Sequence, residues 1–117
     1  MSKKIHRLQT IKSCIEDIEF ILDKKNLKIT QILEDKLVKP AIRMNLVRIA
    51  EQFSKLKDEN EFTTLEHFSN EDLRGISSVR NYIAHDYDSV DDEIIEDVIR
   101  TNLPKLKDTI NSLKILN

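Results

Sequence analysis

One glycine and two prolines are all that interrupt 117 residues. A β-rich chain needs turn residues at short, regular intervals, so their scarcity argues against sheets. Tryptophan is absent, and two Tyr and four Phe supply the whole aromatic content. Cys14 is the single cysteine, which excludes an intramolecular disulfide and fits a reducing compartment. Its apolar neighbours at helical spacing predict a small core residue, not a nucleophile. The three histidines, His6, His67 and His85, are scattered, and no His/Cys/carboxylate spacing points to a metal. No glycine-rich phosphate loop is present, so no nucleotide cofactor is expected. No apolar run approaches the ~20 residues of a membrane span. Met1-Ser2-Lys3-Lys4 does not lead into a secretory apolar segment. A cytoplasmic protein is the expectation.

What remains is rich in Leu, Ile, Lys, Glu and Asp, with 39% hydrophobic and 34% charged residues. The length fits one domain, taken as residues 1–117, with enough apolar material to fold unaided. The net charge of −2 does not make a polycation, so no DNA partner is expected from bulk charge. The charge is unevenly spread. Residues 1–48 carry 11 Lys/Arg against 6 Asp/Glu, and residues 49–117 carry 8 against 15.

Apolar residues recur at steps of three and four throughout, the mark of helices with one buried face. Ile5, Leu8, Ile11, Ile15, Ile18 and Leu22 define a first helix over about residues 3–24. Ile29, Leu33 and Leu37 mark a second, which Pro40 interrupts. Ile42, Leu46, Ile49, Phe53 and Leu56 form the next stripe, and residues 58–68 read as a loop with a short helical turn. Ser69-Asn70-Glu71-Asp72 has the form of a helix cap ahead of Leu73, Ile76, Val79 and Ile83. A connector at 86–90 leads to Ser89-Val90-Asp91-Asp92, another helix start. The final stripe runs from Ile94 to Leu113 and should bend or split at Pro104. The expected architecture is an all-α antiparallel bundle of four to five helices, with breaks near Pro40 and Pro104.

Against this plain background, Arg80-Asn81-Tyr82-Ile83-Ala84-His85-Asp86-Tyr87 stands out. Arginine stays charged and forks onto phosphate oxygens, and histidine exchanges protons near neutral pH. Together they suit phosphodiester chemistry without a metal. Spacing alone does not establish a site, because Arg-x4-His is also common as a surface pair. Five residues span ~500° of helix, so Arg80 and His85 do not share one face. Two copies meeting across a dimer axis would remove that objection by lining one groove with two Arg/His sets.

The segment resembles the HEPN superfamily, and within it the HepT-like toxins. Arg80, Asn81, His85 and Tyr87 match the Arg-Asn pair, the Arg-x4-His spacing and the tyrosine two residues on. Gly75 stands upstream where that family often has a glycine, and Asn102-Leu103-Pro104-Lys105-Leu106 resembles its next helix. Arg43–Phe53 matches its central helix more loosely. Two departures are Glu71-Asp72-Leu73, where an aromatic residue is usual, and Arg48-Ile49-Ala50-Glu51, where small residues are usual.

The resemblance implies a metal-independent ribonuclease toxin acting as a homodimer, with its site at the subunit interface. His85 would act as general base or acid on the 2′-hydroxyl, Arg80 would hold the phosphate, and Asn81 would orient the histidine or substrate. It also implies a nucleotidyltransferase antitoxin of the MNT type that transfers AMP to Tyr87. A bulky anion there would compete with RNA for Arg80. The rival expectation is a non-catalytic helical adaptor that docks the nucleotidyltransferase.

One stretch sits awkwardly beside an RNA site. Residues 86–97 hold seven acidic residues, from Asp86 to Asp97, and no Lys or Arg. Helix capping accounts for part of this, and the remainder suits a basic protein partner. RNA would then approach over the basic half, past Lys24, Lys25 and Lys28.

Overall fold

The computed structural model describes residues 2–25, 28, 34–85 and 92–113, among which there are helices and no strand. Helix α1 spans Lys3–Lys25. Ser2 opens it, its hydroxyl accepting from the Ile5 amide at 3.2 Å. Leu8, Ile11, Cys14, Ile15 and Ile18 are buried along one stripe, as the spacing predicts.

Helix α2 spans Val38–Asp58. The Asp35 carboxylate starts it by accepting from the amides of Leu37 (2.8 Å) and Val38 (3.1 Å). Pro40 therefore lies in the first turn, where a missing N–H is tolerated, and it interrupts no helix. Of the expected second helix, residues 29–33 lie outside the described residues. Leu37 corrects the expectation: it belongs to a turn and is 83% exposed, because the break falls upstream of Pro40. At the other end, Asn60 takes the left-handed conformation (φ 59°). The Asn60 amide donates to the Lys57 carbonyl (3.0 Å) and the Glu61 amide to the Leu56 carbonyl (2.9 Å), closing the helix in a Schellman turn.

A single turn, α3 (Phe62–Leu65), leads to α4 (Asn70–His85). The last segment begins as α5 (Asp92–Asp97), widens into a π-helical turn over Val98–Asn102, and resumes as α6 (Leu103–Ser112). In that turn the Leu103 amide bonds back to the Val98 carbonyl. The widening removes the conflict that Pro104 would create in a continuous α-helix, so the expected split falls just before the proline.

Helix α1 packs on α2, α2 on α4, and α6 against α1 and α4. Arg7 near the start of α1 pairs with Glu59 just past the end of α2 at 2.9 Å, which makes those helices antiparallel. Ile42, Leu46, Ile49 and Leu56 from α2 meet Ile76 and Val79 from α4 and Ile95, Leu106 and Ile110 from the last segment in one core. Phe53 and Phe68 close its lower end edge to face, 5.1 Å between centroids. Each fully buried Leu or Ile contributes about 1.5–3 kcal/mol. An exposed ion pair contributes at most ~1 kcal/mol, so the apolar stripes dominate the fold.

Candidate active site

The arginine–histidine motif lies on the outer half of α4. Ser69 caps that helix, its hydroxyl accepting from the Asp72 amide at 3.1 Å and donating to the Asp72 carboxylate at 2.8 Å. The other carboxylate oxygen of Asp72 accepts from the Asn102 side-chain amide at 2.7 Å. Both Asp72 and Asn102 are buried. Gly75, one turn further on, makes room for this contact. A Cβ there would lie 2.8 Å from Asn102 Oδ1. A polar clasp thus fixes α4 to the π-turn at the end opposite the motif.

From this anchored start, Ile76 and Val79 point into the core and Ile83 is half-buried. Arg80, Asn81, Tyr82 and His85 are therefore directed outward, and all four are exposed. His85 is the last residue of α4, so the motif does run to the helix end as expected. Asn81 and His85, four residues apart, share a face. Arg80 and His85 are offset by ~140° around the axis and ~7.5 Å along it. One chain thus brings Asn81 beside His85 and leaves Arg80 on the flank that faces α2. Tyr87 lies outside the described residues.

Near this end of the bundle, Lys39 Nζ on α2 pairs with Asp92 Oδ2 at the start of α5, 3.2 Å apart. Asp92 and Glu93 occupy the first turn of α5, where the helix dipole favours anions. Asp92, one of the acidic residues expected to meet a partner, is thus engaged within the chain. Asp86, Asp88 and Asp91 lie outside the described residues. Of the lysines proposed to guide RNA, Lys24 lies over the exposed Phe20 ring, 5.6 Å from its centroid. Lys28 is exposed, and the Lys25 side chain lies outside the described residues.

No group of three or more His, Cys, Asp or Glu among the described residues could hold a metal ion. His6 and His67 are exposed, and Cys14 is fully buried. Burial pushes the Cys14 thiol above its ordinary pKa, the opposite of what a nucleophile needs. No described helix is long and apolar enough to cross a membrane.

Two features escaped the sequence. The Asp72–Asn102 clasp joins residues thirty positions apart, although a lone glycine inside a helix was its available signal. A groove of 520 Å³ between α2 and α4, rimmed by Lys57 and Arg74, had none.

The profile of the family described as Ribonuclease HepT-like matches residues 11–113. No curated protein and no solved structure matches the chain.

Proposed function

The chain belongs to the HepT-like ribonuclease family, and from that premise we propose that it is a metal-independent RNase toxin whose site is the outer end of α4. The observation that carries this reading is the Arg80-Asn81…His85 set, exposed together at the end of a helix that the clasp and the core hold in place.

His85 takes the proton from a 2′-hydroxyl, which then attacks the neighbouring phosphate. With two protomers sharing the site, the other copy's His85, as the imidazolium, gives a proton to the departing 5′-oxygen. Arg80 forks onto the non-bridging oxygens and offsets the charge that grows on them. Asn81, on the same face as His85, orients the imidazole or the ribose.

The ~140° offset on a single helix calls for a homodimer, in which Arg80 of one protomer and the histidine of the other line a shared groove. Leu37 (83% exposed), Met44 (66%) and Tyr82 (41%) offer apolar contact area at this end of the bundle. The acidic connector and Tyr87 follow directly. AMP placed on Tyr87 by a nucleotidyltransferase antitoxin would set a phosphate two residues from His85 and occupy Arg80.

The test is RNA cleavage and growth arrest by His85→Ala and Arg80→Ala. Both proteins should fold and dimerise as the parent does, and both should lose cleavage. Toxicity retained in both would refute the site, and intact RNA with the parent protein would favour the adaptor. Mass spectrometry of the chain co-expressed with a nucleotidyltransferase should find AMP on Tyr87 and nowhere else.

A further inference from the structure

The 520 Å³ groove between the C-terminal half of α2 and the N-terminal half of α4 has an apolar floor of Phe53, Leu65 and Leu73. Lys57 stands on its α2 rim and Arg74 on its α4 rim. Both are exposed, and neither forms an ion pair with another described residue. At its lower end the groove opens into a second cavity of 570 Å³ that shares Leu65, Asn70 and Leu73 with it. Phe62, 53% exposed, forms part of that wall, and Glu66 is the one acidic residue there.

The groove leads toward the motif. Its α4 wall is built from Asn70, Leu73 and Ser77, at steps of three and four. The next member of that row is Arg80, ~4.5 Å further along the axis than Ser77. On the adjacent row, Arg74 is followed by Asn81 and His85, seven and eleven residues on and within ~20° of its direction. Two cations with no ion pair among the described residues, an exposed aromatic ring and an apolar floor thus run toward the arginine and histidine of the proposed site.

We propose that this groove is a substrate subsite for single-stranded RNA outside the scissile phosphate. A backbone phosphate lies between Lys57 and Arg74, and a base rests on Phe62 and the Leu65–Leu73 floor. Stacking of bases on aromatic rings beside a cationic track is how unpaired strands are held without sequence preference. The subsite also answers the problem of the acidic connector. RNA enters along α4 from the end of the bundle opposite His85 and the acidic first turn of α5, Asp92 and Glu93, and Arg80 receives a strand already held upstream.

The inference rests on the ribonuclease reading, and length dependence separates the two. Cleavage and binding are measured with a single-stranded oligoribonucleotide of about twelve residues, within the span such grooves hold, and with a dinucleoside monophosphate. Lys57→Gln and Arg74→Gln should each raise KM for the oligonucleotide and lower the salt slope of its binding by about 0.7, the value for one phosphate contact on a single strand. Phe62→Ala should weaken oligonucleotide binding by about tenfold, the low-to-middle range for loss of one stacked base. Cleavage of the dinucleoside should not change in any of the three. His85→Ala should bind the oligonucleotide normally and cut neither substrate. Variants with unchanged oligonucleotide KM and salt slope, or with equal losses on both substrates, would overturn the subsite and leave the nuclease standing. If the parent protein cuts nothing yet binds the oligonucleotide with a slope that falls in the variants, the nuclease reading fails and the groove survives.

Discussion

Gly75→Ala is the sharpest probe of the fold, because two physical effects predict opposite signs for it. In a helix interior, alanine is favoured over glycine by about 1 kcal/mol, so propensity alone makes the variant more stable. Against this, the new Cβ would lie 2.8 Å from Asn102 Oδ1 and 3.0 Å from its Cγ. Asn102 cannot swing aside freely. It is buried and its amide donates to Asp72 at 2.7 Å. Moving it breaks a bond to a charged acceptor worth about 1.5–3 kcal/mol. The net expectation is a loss of about 0.5–2 kcal/mol, or roughly 2–8 °C in Tm at about 4 °C per kcal/mol for a domain of this size. The assay is urea or thermal unfolding followed by far-ultraviolet circular dichroism. A second measurement fixes the cause. In an Asn102→Ala background the obstruction is gone, so Gly75→Ala should there stabilise by up to ~1 kcal/mol. A Gly75→Ala protein at least as stable as its parent, or the same sign in both backgrounds, would refute the reasoning.

Three further outcomes follow from the same structure. Ser69→Ala removes the cap and one donor to Asp72, and should cost about 1 kcal/mol in unfolding experiments. Arg80→Ala and His85→Ala are exposed changes and should leave unfolding free energies within about 0.5 kcal/mol of the parent, so that a large loss of stability would disqualify them as probes of catalysis. Cys14 has a folded-state pKa raised by burial, so the protonated thiol is favoured in the native protein. Stability from this group is complete below the unfolded value of about 8.5 and is lost as pH climbs above it. Cys14→Ala should flatten that alkaline decline, and pH–stability curves of the two proteins that run parallel above this range would contradict it.

Much of this was legible in the chain because helices write their buried face into the sequence at a fixed period. Leu8 to Ile18, Ile42 to Leu56 and Ile95 to Leu113 line the core as their spacing predicts. The Ser69 cap was equally plain, since capping is local and needs only residues three apart. Leu37 departs from its apolar stripe for a related reason. It fell in phase with its neighbours, but the Asp35 carboxylate starts the helix one residue later and turns Leu37 outward. The motif residues could be named from the sequence, and their placement on the outer half of α4 follows from Ile76 and Val79 facing in. The Asp72–Asn102 pair and the Lys57–Arg74 groove are products of packing between distant segments, and no local pattern announces such encounters.

The clasp between Asp72 and Asn102 has a consequence beyond its own bond. Layers of Leu and Ile are nearly interchangeable, so a helix packed only on them could slide by one turn at little cost. Here a slip of α4 by ~5.4 Å would strand a carboxylate and an amide among hydrocarbons. The two residues act as an index mark along an otherwise slippery rail. Because α4 is rigid, that mark at its first turn sets the height at which Arg80 and His85 emerge at its last.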